Sequence, residues 1–256
     1  MKEIGIDKQK LIQLNILSDV ATFCEENCLQ YFLAYGTLIG AVRHHGYIPW
    51  DDDIDIWMPE PDYDRFLETY YSDKYKVIHN GNTKNYFVNF AKVHDERTRY
   101  QESYTRDTGY GIFIDVFPLH AYGGTWQRKL CYLFYRMIRM KRVLWYEGKP
   151  FYKNLVNHIG KIFLLPFPLT FIARCLEKSS RLVKWESAKN VHSFSGNASD
   201  YPKECFMKYK TVSFETLMVH IPAGFHQILT LQYGDYMKLP PEKDRIAHHD
   251  AIVEWK

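Results

Sequence analysis

Residues 48–56 constrain this chain more than any other part of its sequence, because they place four carboxylates beside apolar side chains. Alternate side chains of an extended strand share a face, so we expect Asp51, Asp53 and Asp55 on one face and Asp52 on the other. Carboxylates on one face of a buried strand repel one another unless a cation lies among them. Oxygen ligands at this density favour Mg²⁺ or Mn²⁺. The apolar neighbours disfavour the alternative, a solvated acidic turn.

The segment just before this run has the pattern of a phosphate-binding turn. Residues 31–35 predict a strand, Gly36 and Thr37 interrupt it, and residues 38–43 predict a short helix with Thr37 as its N-cap. Free backbone N–H groups at the start of a helix bind anions. Arg43 adds planar donors that suit phosphate. A phosphate turn next to a metal-binding strand predicts transfer of a phosphate-containing group from a nucleotide-type donor.

Residues 35–44 together with residues 48–56 resemble the signature of the LicD family, the cholinephosphotransferases related to fukutin and fukutin-related protein. Residues 111–119 resemble the family's second acidic strand, and residues 233–241 resemble its C-terminal element. Residues 126–190 match none of these motifs. The matching segments are spread over most of the chain, and the first is long and specific.

The resemblance implies an α+β fold with a nucleotidyltransferase-like mixed sheet flanked by helices. In that fold a Gly-Thr turn opens the site, an Asp-x-Asp pair binds metal, and a later strand supplies a third carboxylate. The implied catalytic and metal-binding residues are Asp53, Asp55 and Asp115, with Asp51 as a further ligand candidate, and the implied residues for donor phosphate are Gly36, Thr37 and Arg43.

The activity implied by the resemblance is transfer of a phospho-alcohol from a CDP-linked donor to a glycan hydroxyl, with release of CMP. Mg²⁺ or Mn²⁺ would be the cofactor. CDP-choline is the favoured donor, although ribitol, glycerol and ethanolamine stay open as the alcohol. The acceptor would be a cell-surface glycan such as lipopolysaccharide or teichoic acid, or its lipid-linked precursor. Asp115 is a candidate general base, with His44 and His45 as other candidates.

Two other functions fit the same residues. One is transfer of a nucleoside monophosphate from a nucleoside triphosphate to a small molecule or sugar. The other is non-catalytic binding of a glycan or a membrane on the same fold, which the intact carboxylate set disfavours.

Binding of choline would need an aromatic cage, because a quaternary ammonium cannot donate hydrogen bonds. The aromatic side chains nearest the motifs are Tyr47, Trp50, Trp57, Tyr110 and Tyr236. Sequence alone does not separate cage members from core aromatics. Glu215 falls where the family often carries a Phe-Glu pair, and it could bind donor or metal, or pair with a surface cation.

Residues 126–190 are predicted to form a basic amphipathic helical insertion within a single domain spanning residues 1–256. The segment holds 14 Lys and Arg against 3 Asp and Glu, while the remainder holds 19 (33 − 14) against 27 (30 − 3). Such a basic and apolar segment suits the interface of an anionic membrane. It equally suits helices that pack on the core with a solvated basic face. Nucleic acid is a disfavoured partner because no nucleic-acid-binding module is evident.

The location expected from the sequence is cytoplasmic, with peripheral contact at the inner face of the plasma membrane. The chain starts without a secretory signal pattern and contains no apolar stretch of about 18 residues. Its five cysteines are scattered without zinc spacing, which predicts reduced thiols.

Overall fold

The structure is a computed structural model that describes residues 2–84, 86–102, 109–142, 159–195, 199–245 and 251–256. The helices are α1 (Ile6–Glu26), α2 (Tyr35–His44), α3 (Glu60–Thr69), α4 (Thr125–Arg142), α5 (Leu169–Ser180) and α6 (Phe225–Tyr233). The strands are β1 (Phe32–Leu33), β2 (Asp55–Pro59), β3 (Tyr75–Ile78), β4 (Ala91–Asp95), β5 (Thr98–Glu102), β6 (Phe113–Tyr122), β7 (Asn190–His192), β8 (Tyr201–Pro202), β9 (Tyr209–Phe214), β10 (Leu217–Pro222) and β11 (Ala251–Trp255).

The main sheet is mixed, and β6 is its central strand. The strand order is β1-β2-β6-β4-β3, with β7 pairing with β6 and β8 pairing with β7. The β2–β6 pair is parallel and the other pairs are antiparallel. Nearly every residue of β6 is buried, as expected for a strand covered on both faces. Two small antiparallel pairs, β9–β10 and β5–β11, lie outside this sheet. This architecture confirms the predicted α+β fold.

Helix α1 packs against the sheet and also fixes the acidic segment. Its apolar side chains Ile16, Leu17 and Val20 are fully buried. Two buried glutamines of the same helix, Gln9 and Gln13, donate hydrogen bonds of 3.1 and 3.0 Å to the backbone carbonyl of Asp52. A buried amide left without a partner would cost about 1–3 kcal/mol, so these bonds hold the backbone at Asp52 against the core.

Helices α4 and α5 lie within the predicted insertion and share a small core of their own. The side chains of that core are Cys131, Ile138, Ile172, Ala173, Leu176 and Phe194. Residues 143–158 lie outside the described part of the chain, so the assignment of residues 126–190 as one insertion stays a prediction. Within the described ranges, no helix combines the length and the apolar character needed to cross a bilayer.

Some element boundaries differ from those predicted near the acidic run. Strand β2 begins only at Asp55, because the chain turns before it: the Asp51 N–H donates to the Ile48 carbonyl at 2.9 Å. Helix α2 begins at Tyr35, so Thr37 lies in its first turn and the predicted N-cap at Thr37 is wrong. Ala34 is the N-cap, and its carbonyl accepts the first helical hydrogen bond from the Leu38 N–H at 2.9 Å.

Gly40 lets the loop that carries the acidic run approach α2 closely. A Cβ atom at Gly40 would lie 2.4 Å from the Gly46 carbonyl oxygen and 3.3 Å from the Ile48 nitrogen. Both neighbours are backbone atoms, which cannot rotate away as a side chain can. The position therefore requires glycine for space.

We predict that Gly40→Ala destabilises the protein by about 1–3 kcal/mol, because the added methyl group must displace backbone. At an unstrained helical position the same substitution stabilises by about 0.4–1 kcal/mol, so the two expectations differ in sign. Urea unfolding followed by far-UV circular dichroism measures the difference. A Gly40→Ala protein more stable than the parent would contradict this description of the contact.

Candidate active site

Three charged side chains occupy neighbouring positions on the three central strands of the sheet. Asp55 of β2 pairs in register with Asp115 of β6, and Asp115 pairs in register with Lys92 of β4. Residues directly opposite each other on adjacent strands point to the same face. Like charges in such positions destabilise a sheet. In the row Asp55–Asp115–Lys92, the cation of Lys92 lies next to Asp115 and offsets part of the repulsion between the two carboxylates.

Lys92 is a buried cation, and sequence reasoning missed it. Its side chain is 9% exposed, and its Nζ lies 2.5 Å from Asp115 Oδ1. The ammonium also sits 3.4 Å from the centre of the Phe113 ring, with the Tyr110 ring at 5.6 Å and the Phe90 ring at 5.4 Å. Aromatic faces attract a cation. The available signal was a single charged residue within a mostly apolar, strand-length run from Phe87 to Val93.

Asp51, Asp52 and Asp53 bring oxygen atoms together closely enough to share one cation. One carboxylate oxygen from each lies within 4.8 Å of the others, and no other such group of three occurs in the described ranges. The expectation that Asp52 points away from this set is wrong. Alternation of side chains applies to a strand, and residues 51–54 are irregular chain between a turn at residues 49–50 and β2. The roles of these aspartates in metal binding stay predictions.

Burial and neighbouring carboxylates raise the pKa values of two acidic groups in the cluster. Burial raises the pKa of Asp55 well above its ordinary value, and the neighbouring charges of Asp53, Asp115 and Asp51 raise it further, while Lys92 opposes the shift. Burial also raises the pKa of Asp51. Buried and half-buried carboxylates that repel one another beside a cavity have the chemistry of a hard divalent cation site, so the residues present fit Mg²⁺ or Mn²⁺.

The start of α2 contacts the acidic segment directly. The hydroxyl oxygen of Thr37 accepts a hydrogen bond of 2.9 Å from the Asp55 N–H, and Thr37 is only 3% exposed. A Cβ atom at Gly36 would lie 2.7 Å from Asp51 Oδ2. Thr37 therefore positions Asp55, and Gly36 provides the space that lets the Asp51 carboxylate reach the helix start.

Arg43, in the last turn of α2, is held in place by neighbours on both sides. Its Nη1 donates 2.7 Å to the Tyr236 carbonyl, and its Nε donates 2.9 Å to His44 Nε2. Burial, followed by the charge of Arg43, lowers the pKa of His44, which favours the neutral ring that accepts this bond. His44 therefore orients Arg43. Because His44 Nε2 already accepts this hydrogen bond, His44 is a weaker candidate for the general base.

These groups surround an open cavity of about 660 Å³. Of the predicted site residues, Gly36, Arg43, Asp51, Asp53 and Asp55 line it. Thr37 and Asp115 do not line it, but Thr37 accepts a hydrogen bond from the Asp55 N–H and Asp115 is the register partner of Asp55. The other lining residues are Ile39, Ile48, Trp50, Tyr233, Asp235, Tyr236, Lys238, Leu239, Pro240 and Pro241. Residues 233–241, the segment that resembles the family's C-terminal element, thus form one wall of the cavity.

Some aromatic candidates line this cavity and others belong to the core, and Tyr236 does both. Trp50 and Tyr236 line the cavity, together with Tyr233, which sequence reasoning missed. Tyr47 and Trp57 belong to the hydrophobic core. Tyr110 also belongs to the core and faces the ammonium of Lys92.

Glu215 supports the loop between α2 and the acidic segment. Its Oε1 accepts a hydrogen bond of 3.0 Å from the Tyr47 N–H, and its own N–H donates 2.8 Å to the His45 carbonyl. A Cβ atom at Gly46 would collide with the same carboxylate. The contacts described for Glu215 are those of a residue that fixes the loop at residues 45–47, and Glu215 is not among the residues that line the cavity.

A mixed sheet with Asp55 and Asp115 on neighbouring strands beside the Gly-Thr start of α2 has the arrangement expected of a nucleotidyltransferase-type domain. Residues 28–147 match the family described as LicD/FKTN/FKRP, nucleotidyltransferase domain. The chain is 30% identical to the lipopolysaccharide cholinephosphotransferase LicD of Haemophilus influenzae, over 97% of each chain. It therefore belongs to the LicD family. An uncharacterised protein of Rickettsia typhi is 33% identical over 31% of this chain and 27% of its own, and one of Rickettsia prowazekii is 38% identical over 24% of each.

We predict that Lys92→Met destabilises the metal-free protein by about 3–5 kcal/mol, because it leaves Asp115 as a buried charge without its cation. Adding Asp115→Asn should restore much of the loss. A double-mutant cycle on the free energy of unfolding, measured in EDTA, gives the coupling energy.

The matched control is the surface pair Arg128 and Asp200, 46% and 30% exposed, whose coupling should stay below about 1 kcal/mol. Strictly additive losses at Lys92 and Asp115 would contradict the pairing.

We also predict that Asp55→Asn stabilises the metal-free protein more at high pH than at low pH. A carboxyl whose folded pKa is raised binds its proton more tightly in the folded state, so its contribution to stability falls as pH rises through that pKa. Asparagine has no charge to lose. Urea midpoints in EDTA at about pH 5 and about pH 8 bracket the region above the ordinary aspartate pKa of about 3.9. An equal effect at both pH values would contradict the raised pKa.

Proposed function

We propose that this protein transfers phosphocholine from CDP-choline to a hydroxyl group of a cell-surface glycan or its lipid-linked precursor, with release of CMP. One observation carries the proposal: clustered carboxylates, a fixed arginine and aromatic rings line the same cavity. The near full-length similarity to a relative named lipopolysaccharide cholinephosphotransferase supports phosphocholine as the group and a lipopolysaccharide-type glycan as the acceptor.

The metal would be held by the carboxylates at the floor of the cavity. Asp53 and Asp55 are the proposed ligands that line it, and Asp51 is a further one. Asp115 lies beside Asp55 in the sheet and completes the predicted set. A bound Mg²⁺ or Mn²⁺ would neutralise charge on the diphosphate and on the departing CMP.

The phosphates of the donor would lie between the start of α2 and the C-terminal wall. Gly36 and Arg43 line the cavity on the α2 side, and Lys238 lines it on the other. Backbone N–H groups at a helix start and a guanidinium both bind phosphate oxygens. Thr37 acts indirectly through its hydrogen bond to the Asp55 N–H. These contacts would orient the diphosphate against the carboxylates.

The choline group would be recognised by the aromatic rings of the cavity wall. Trp50, Tyr233 and Tyr236 line the same cavity as Asp235. A quaternary ammonium binds aromatic faces through cation–π attraction worth about 0.5–2 kcal/mol per ring. A carboxylate nearby adds charge complementarity. The neutral alcohols ribitol and glycerol would gain neither contribution.

In the transfer, the glycan hydroxyl oxygen forms a bond to the phosphorus of phosphocholine while the bond from that phosphorus to the CMP oxygen breaks. A carboxylate of the cluster would accept the hydroxyl proton. Asp115 is the predicted general base, and Lys92 lies against its Oδ1.

The test is calorimetric titration with CDP-choline, CDP-ribitol, CDP-glycerol and CTP, each with Mg²⁺ and with EDTA, followed by analysis of the reaction products. We expect CDP-choline to bind with Mg²⁺ only and free CMP to accumulate when a glycan acceptor is added. Asp53→Asn should reduce the rate by about a hundredfold or more, since it removes charge that acts on the transition state. The matched control is Asp73→Asn, an exposed aspartate outside the cavity, which should leave the rate unchanged.

Two outcomes would overturn the proposal. If CTP binds while every CDP-alcohol fails, and a nucleoside monophosphate is found attached to the acceptor, the chain is a nucleotidyltransferase. If Asp53→Asn loses Mg²⁺ binding without any loss of function, the carboxylates do not serve catalysis.

A further inference from the structure

Residues 159–171 expose large apolar side chains next to the basic helix α4. Ile162, Phe163 and Leu165 are 64%, 75% and 70% exposed, and Phe171 is 52% exposed. Side chains of this size are ordinarily buried, and a continuous exposed group of them marks an interaction surface. We call residues 159–171, together with the outward face of α4, the apolar-basic surface.

The backbone of this segment is fixed, so its exposed side chains are presented outward by the fold. Lys141 Nζ donates 2.8 Å to the Leu164 carbonyl and 2.6 Å to the Phe167 carbonyl. A Cβ atom at Gly160 would lie 2.3 Å from the sulfur of Met140, so the segment also lies close against α4. These contacts anchor the turn after residues 159–163 to the end of α4.

The outward face of α4 carries aromatic and basic side chains together. The sequence of α4 contains six Lys and Arg and no Asp or Glu. Trp126, Tyr132 and Leu133 are 53%, 55% and 53% exposed, and the basic residues Lys129, Arg136 and Arg139 are exposed on the same helix. Aromatic and aliphatic side chains mixed with lysine and arginine form the composition of helices that lie in a membrane interface.

We propose that the apolar-basic surface docks on an anionic phospholipid bilayer. Its basic side chains complement the negative headgroups, and Ile162, Phe163 and Leu165 are placed to enter the boundary between headgroups and acyl chains. A nucleic acid would leave those apolar groups without a partner. A second copy of this chain would bring the same positive charge against itself. The structure thus favours the membrane interpretation over packing on the core, because these side chains are exposed.

Docking would hold the cavity near a lipid-linked acceptor, a consequence that rests on the proposed function. The docking itself depends only on the exposed side chains and their charges. The two proposals can therefore fail separately.

The experiment is sedimentation of the full chain with vesicles of phosphatidylcholine alone or mixed with phosphatidylglycerol. We expect binding to the mixed vesicles only. Binding should weaken strongly between roughly 0.1 M and 1 M salt, as the Debye length falls from about 10 Å to about 3 Å. Phe163→Ser with Leu165→Ser should weaken binding by about tenfold or more, because it removes two large apolar side chains that the bilayer would bury.

The matched control is Tyr71→Ser with Met218→Ser, which removes equally exposed apolar side chains, 72% and 63% exposed, from other parts of the surface. This control should bind as the parent does. Equal binding to both vesicle types, no binding, or a Phe163/Leu165 variant that binds like the control would overturn the proposal. So would self-association of the parent in sedimentation velocity that is lost in that variant. CDP-choline affinity measured on the same proteins shows whether the donor site is intact independently of docking.

Discussion

The repulsion among buried carboxylates is the constraint on which this site depends. Asp55 and Asp115 are register partners on adjacent parallel strands, and such a pair is unfavourable unless positive charge is near. Lys92 supplies part of that charge from the next strand, 2.5 Å from Asp115. Asp55 lies on the other side of Asp115 from Lys92, and the pKa of Asp55 is raised. Lys92 thus offsets part of the charge of Asp115 inside the sheet, and the proposed divalent cation would offset charge on the rest of the cluster.

The elements around the cluster serve to hold this arrangement. Gln9 and Gln13 fix the carbonyl of Asp52, and Thr37 fixes the N–H of Asp55. Each bond is made by a buried polar side chain, so each costs free energy if it is broken. The acidic segment is therefore pinned at both ends, although most of it lies outside any strand. These hydrogen bonds keep the repelling groups close together.

The sequence predicted the fold class and most of the cavity lining because those signals are local. The acidic run, the Gly-Thr turn and residues 233–241 are continuous motifs, and all three line or contact the cavity. Lys92 was missed because its role comes from strand register across the sheet, which a local pattern does not report. Asp52 was misplaced for a different reason. The chain turns at Ile48–Asp51, and β2 begins only at Asp55. The alternation of side chains between two faces, which applies to a strand, therefore does not hold for residues 51–54.

Exposure of the apolar side chains in residues 159–171 could not be read from the sequence either. A helical apolar stripe has the same pattern whether it faces a core or a membrane. In this chain the small core between α4 and α5 is filled by other residues, among them Ile138 and Ile172. Phe163 and Leu165 are therefore left outside.

Mn²⁺ uptake tests most directly the proposal that the Asp51–Asp55 segment binds a divalent cation. Electron paramagnetic resonance measures the signal of free Mn²⁺, which decreases when the ion binds to protein. The measurement does not require catalytic turnover. The parent chain should take up Mn²⁺, Asp53→Asn and Asp55→Asn should lose that uptake, and Asp73→Asn should retain it. Uptake by Asp55→Asn and Asp53→Asn equal to that of the parent would show that the cation, if one binds, is held elsewhere.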